Sequence, residues 1–308
     1  MANQFLKAET IAATALGLLE RELVLANLVW NNAGFDFTGA KNDSVTIRIP
    51  AVLDAREQEW RANAPADIVL DSLTESSIDV KLNKDIYSAV QVTDEELTLD
   101  IKDFGSQVLA PQVNAVARAI DNGVAALVEG ATYTNTITID PKDPWSGVID
   151  ARAVLNRQNV DFKDRTLLVG SDVETNILKS DRLSKVDQSG DDSALRDATV
   201  GKLAGFNVVT SNAIDPTTAY AFVPSAFVLA TRAPAIPGGV AFGASQSYNG
   251  LSMRWIKDYD SNKLRDRSIV NIYAGFNVMT DPLRTGKPAD KGKTALLRAV
   301  KLTLPKAP

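Results

Sequence analysis

Three short clusters carry side chains that could do chemistry. GKT (292–294) has the ending of a phosphate-binding loop. That loop needs a glycine five positions before Gly292, but Lys287 stands there and Gly286 is one place off. No strand-to-helix context surrounds it, so it reads as a polar turn. DQSGDD (187–192) gathers Asp187, Asp191 and Asp192, oxygen donors of the kind that hold calcium. The calcium-loop spacing and its closing glutamate are missing, and the segment reads as a solvated loop. DAREQEWR (54–61) sets Trp60 among Arg56, Glu57, Glu59 and Arg61. An aromatic flanked by both charge signs suits a protein–protein contact, where Trp and Arg anchor and ion pairs fix register.

The chain contains no His and no Cys. That removes the usual base at neutral pH, the Ser-His-Asp arrangement, thiolate nucleophiles, disulfides and most zinc sites. No cofactor and no metal site is expected, and an enzyme would be left with carboxylate, Lys or Tyr chemistry. Net charge is −5 with charges interspersed, which does not suit a groove that neutralises phosphates. No apolar run is long enough to cross a membrane. The N-terminal stretch lacks the basic start of a secretory signal, and Glu9, Glu20, Arg21 and Glu22 interrupt it. Self-assembly, not catalysis, is the leading reading.

The elements that position these clusters are legible from periodicity. Residues 5–30 carry a helical pattern (Leu16, Leu19, Leu23, Ala26) that Asn31, Asn32 and Gly34 stop. SVTIRIP (44–50) aligns Val45, Ile47 and Ile49, and SIDVKL (77–82) aligns Ile78, Val80 and Leu82. The 26 residues between them, 51–76, exceed an ordinary hairpin loop. Such a ribbon is hard to stabilise alone, so support from another chain is expected.

The return strand is expected to continue through Ile86, Val90 and Val92, and TDEE (93–96) matches a capping box. A long helix follows at about 101–129, with Val113, Val116, Ala117, Ile120, Val124 and Leu127 on one face and Gly130 at its end. Pro111 inside it predicts a kink, or a break just before it. Residues 131–250 alternate strand and helix, with a helix opening at Ser146, a strand over 165–171 and a second helix behind Ser171. From 251, Leu251, Met253 and Trp255, then Val270, Ile272, Ala274, Phe276 and Val278, predict a long antiparallel pair. RAVKLTL (298–304) predicts a last strand.

The stretch ANQFLKAETIAATALGLLERELVLANLVW, followed by GFDFTGAKNDSVTIRIPAV, resembles coat proteins of phages infecting actinobacteria, grouped with the gene-5-type coat family. With the element order, it resembles the major capsid proteins of tailed phages. The resemblance implies an α+β fold of the Hong Kong 97 type. Its parts would be an N-terminal arm (1–35), an extended E-loop (36–80), a peripheral domain with a long spine helix (81–132), an axial α/β domain (133–254), and peripheral return strands with the C-terminal strand (255–308). It implies hexamers and pentamers of this chain closing an icosahedral shell around double-stranded DNA, without sequence-specific binding. It also implies assembly in the bacterial host cytoplasm, with a portal and, in many relatives, scaffolding and decoration proteins. The arm begins at Met1, so any scaffold is expected to be a separate protein. Some relatives join an E-loop lysine to a neighbour's asparagine; here 51–76 holds no Lys, and the nearest are Lys41 and Lys81. The alternative is a cellular nanocompartment shell of the same fold, an encapsulin.

Overall fold

The computed structural model describes residues 11–16, 19, 23–31, 44–49, 57, 67–68, 70, 76–96, 104–180, 201–240, 242–248, 251–283 and 293–305. Strands β1 (Ser44–Ile49) and β2 (Ser76–Lys81) form the expected antiparallel ribbon, Ser44 opposite Lys81 and Ile49 opposite Ser76. The return strand does not run on unbroken. β3 (Lys84–Thr93) begins after Leu82 and Asn83 and joins a different sheet. The capping box forms as read. The Thr93 N–H donates to Glu96 Oε2 at 2.9 Å and the Glu96 N–H donates to Thr93 Oγ1 at 3.3 Å.

Ribbon support comes partly from within the chain, contrary to expectation. Val80 is fully buried with Val228, Ala230 and Met279, and Trp30, Ile47, Ile78 and Leu82 pack around them. Asn277 Nδ2 donates to the Asp79 carbonyl at 2.6 Å. The crossing is so close that a Cβ on Gly275 would lie 2.4 Å from the Lys81 carbonyl oxygen. The alternation in SIDVKL buries one face against the chain's own body, which is all period-2 patterning requires.

Two sheets carry the rest. The first runs β10 (Phe242–Tyr248), β11 (Leu251–Asp260), β12 (Arg265–Val278), β3, with β9 (Phe227–Arg232) also paired to β12. All its pairings are antiparallel. Helix α1 (Ala110–Gly130) packs against it. Val113, Val116, Ala117, Ile120 and Val124 are buried against a core that includes Met253, Trp255, Val270 and Ile272, as the periodicities require.

The second sheet has the order β4 (Thr136–Thr138), β15 (Ala299–Thr303), β8 (Thr218–Phe222), β5 (Thr166–Val169), β7 (Phe206–Thr210), β6 (Lys202–Leu203). Helices α2 (Pro144–Arg157) and α3 (Ser171–Leu178) share a core with it. β5 is buried throughout: Leu167 and Val169 face the helices, and Leu168 faces the core of α1. A strand covered on both faces has no reason to alternate.

Three details differ from the sequence reading. α2 starts at Pro144 rather than behind Ser146, because proline's fixed φ suits a helix's first turn. β11 runs through residue 254, so the expected boundary at 254/255 falls inside a strand. The C-terminal strand β15 inserts between β4 and β8 in the second sheet and not among the return strands, and Val300 and Leu302 are fully buried there. Its short alternating run fits either sheet, and the pattern alone could not assign it.

Candidate assembly surfaces

Two segments lie outside the two main sheets: the ribbon and the N-terminal strap. Of the five residues singled out at the tip, Arg56, Glu59, Trp60 and Arg61 lie outside the described residues, and Glu57 is exposed. Farther along the tip, Ile68 is 81% and Leu70 89% exposed. Sequence reasoning passed over this pair, although IVL beside the charged run was the signal.

The strap is better buried than the ribbon. Leu19, Leu23, Leu25, Ala26 and Val29 belong to the main core. Its backbone is held by one carboxylate on the long helix. The N–H groups of Val24, Leu25 and Ala26 donate to Asp121 at 3.0, 3.1 and 3.0 Å. Asp121 thereby caps the short helical turn Ala26–Leu28 from another element, since that turn has no cap of its own. Farther on, the Trp30 N–H donates to the Pro224 and Phe227 carbonyls, and the Leu229 N–H donates to the Trp30 carbonyl.

A buried polar cluster fixes α1 on its sheet. Gln112, 1% exposed, donates from Nε2 to the Ser88 carbonyl at 3.1 Å and the Ser268 carbonyl at 2.8 Å. Ser268 Oγ donates to Gln112 Oε1 at 2.8 Å, and Trp255 Nε1 donates to Ser268 Oγ at 3.0 Å. Pro111, the neighbouring residue, sits in the first turn of α1, directly after a π-helical stretch Gly105–Leu109.

Nothing among the described residues assembles into catalytic machinery. A groove of about 990 Å³ is lined by Arg157, Lys163, Asp161, Asp164 and the pair Arg298–Asp281. That pair is bidentate, with Arg298 donating to Asp281 at 2.7 and 2.5 Å, so its charges are already used. Burial pushes the phenols of Tyr133 and Tyr220 above their ordinary value, the opposite direction from that of a base near neutral pH. No group of three or more metal-ligating side chains occurs among the described residues. Asp187, Asp191 and Asp192 lie outside them. Thr294 begins the two-residue strand β14 (Thr294–Ala295), paired with β13 (Asp281–Pro282), and not a helix. No described helix is long and apolar enough to cross a membrane.

A long helix on an antiparallel sheet, a separate two-stranded ribbon, a strap and an α/β body define a shell-building coat protein of the Hong Kong 97 type. The chain belongs to the phage capsid protein family, whose profile matches residues 75–285. No curated protein matches the sequence. Among solved structures, one from Mycobacterium phage Che8 is similar at 20% identity, covering 91% of this chain and 90% of that one, with a TM-score of 0.63. The capsid of cyanophage P-SCSP1u is similar at 12% identity over 87% and 85%, with a TM-score of 0.61. The mature capsid of bacteriophage PhiM1 is similar at 13% identity over 86% and 83%, with a TM-score of 0.58. This is therefore a major capsid protein, a virion component that forms the head shell, and its family and fold are those of a structural protein.

Proposed function

We propose that this subunit closes into an icosahedral shell of hexamers and pentamers around double-stranded DNA, and that the ribbon tip is the principal contact between neighbours. In this reading residues 1–35 are the N-terminal arm, 36–80 the E-loop, and the two sheets the peripheral and axial domains. Arg56, Glu57, Glu59, Trp60 and Arg61 meet the adjacent subunit, and Ile68 and Leu70 add apolar surface to the same contact. The observation that carries it is the contrast along the ribbon: a base packed on Val80 and a tip whose Ile68 and Leu70 are almost wholly exposed. Large apolar side chains left this exposed mark a surface that a partner covers.

DNA is enclosed without being gripped, in keeping with a net charge of −5 and no basic run. Beside further copies of this chain the partner in this reading is a portal, with scaffolding and decoration proteins only in those shells that use them, and assembly takes place in the host cytoplasm. The test pairs sedimentation with negative-stain imaging of expressed protein, scaffold supplied where needed. Wild type should form closed shells. Trp60→Ala with Arg61→Ala should stay soluble, folded and unassembled, because losing one partner of a buried charge pair costs about 2–5 kcal/mol and symmetry repeats the loss. Normal shells from that variant would remove the tip from the interface, and a wild type that stays monomeric throughout would sink the shell itself.

A further inference from the structure

The long helix changes type at one point. Residues Gly105–Leu109 are π-helical, and the Ala110 N–H donates to the Gly105 carbonyl, five residues back. From Ala110 onward the helix is α, with Pro111 in its first turn. An α-helix continued through this point would need an N–H on residue 111 aimed at the Gln107 carbonyl. Proline has none, and its ring presses on that carbonyl. A π-turn holds one residue more than the α-turn it replaces, and its extra width relieves the clash.

The junction lies between two anchors. On its C-terminal side Gln112 is tied to Ser88 and Ser268. On its N-terminal side Phe104 meets Trp255 edge-on at 6.4 Å, and Lys257 Nζ sits 5.3 Å from the Phe104 ring centre. Trp255 belongs to both anchors, since its Nε1 donates to Ser268 Oγ. The Gln112 anchor is buried and polar, and so fixed by geometry. The Phe104 anchor is a partly buried ring contact, which tolerates sliding.

We propose that residues 105–109 are a one-residue register device with Gln112 as its fixed point. Annealing the π-turn into α-helix would expel the extra residue from the turn, rotating Phe104 about the helix axis by about 100° and pushing it about 1.5 Å farther from Gln112. Phe104 would leave Trp255, while α1 stayed on its sheet. Each register keeps the backbone largely hydrogen-bonded, so the gap between them is small enough for an outside contact to choose. Pro111 biases the subunit toward the π register. This is a property of the single subunit and does not depend on how the shell closes.

The experiment is amide hydrogen exchange by mass spectrometry on the full-length chain, with the structure of the variant. In wild type, amides 105–110 exchange at least about tenfold faster than those of 113–128, as a locally opening segment does. In Pro111→Ala they slow to the rate of α1, and the helix runs as α through 105–110 with Phe104 withdrawn from Trp255. Phe104→Ala tests the other anchor, and its 105–110 amides slow as well. A Pro111→Ala protein that keeps the π-turn and the Phe104–Trp255 contact would overturn the proposal. So would wild-type amides at 105–110 as protected as α1, or unchanged exchange in Phe104→Ala.

Discussion

Replacing Asp121 with alanine should free the N-terminal strap while leaving the rest of the subunit folded. The carboxylate accepts from three backbone N–H groups; the bonds to Leu25 and Ala26 are partly buried and the one to Val24 is exposed. A buried N–H left without a partner costs about 1–3 kcal/mol, and an exposed one much less, because water replaces the acceptor. Two such losses at the low end of the range give about 2–4 kcal/mol for Asp121→Ala. Asp121→Asn keeps one acceptor oxygen and loses the charge, for about half that cost. Against a typical domain stability of about 5–15 kcal/mol, the subunit survives and the strap bears the change. Urea unfolding of unassembled protein reads the total, and amide exchange at residues 24–26 locates it. The expected pattern is a lowered midpoint with those three amides deprotected, larger for Ala than for Asn. An Asp121→Ala protein with the wild-type midpoint and protected amides would mean that Leu19, Leu23, Leu25 and Val29 hold the strap without the carboxylate.

Two further outcomes follow. Gly123→Ala, in the interior of α1, should destabilise by about 1 kcal/mol, although a helical Gly→Ala change ordinarily gains about that much; the new Cβ would lie 2.5 Å from Phe276 Cζ, and a raised melting temperature would show that the ring can yield. Boiled particles on a denaturing gel should give a single band at the 33.1 kDa of the monomer, since residues 51–76 offer arginine but no lysine amine and the chain has no cysteine; a ladder of multimers would point to Lys41 or Lys81.

Much of the fold is legible in the residue pattern, and the parts that are not have physical causes. Period-3.6 spacing from Val113 to Val124 needed a single apolar partner, and the sheet with Val270 and Ile272 is that partner. The capping box over Thr93 and Glu96 is a local hydrogen-bond exchange, so four letters suffice to read it. The placement of β15 in the second sheet depends on contacts with residues about 80 and 165 positions away, which alternation cannot encode. Asp121 was invisible for a related reason. A lone acidic residue in a helix reads as solvated surface, and only the arrival of Val24–Ala26 makes it a cap. The change of helix type at Pro111 lies between these cases: the proline announces an interruption, and packing on both sides decides its form.

The ribbon and the strap share a root, which bears on how a shell subunit can work. Trp30, one residue before the end of the strap's described course, packs on the same small cluster that anchors the ribbon: Val80, Val228, Ala230 and Met279. Its backbone is also bonded into β9 at Phe227 and Leu229, and β9 pairs with the far end of β12. Interiors are close-packed and transmit displacement rather than absorb it, so a shift of the ribbon base presses on Trp30. The clamp at Asp121 lies on the other side of that residue, at the strap's entry onto α1. A pull on the ribbon therefore reaches the strap through one cluster of four buried apolar side chains, and a loosened strap leaves that cluster with one wall missing. Two segments of unrelated sequence, the alternating ribbon and the helical strap, are thus held as a single mechanical unit. A subunit that builds a head shell has reason to couple the two segments that lie outside its two main sheets.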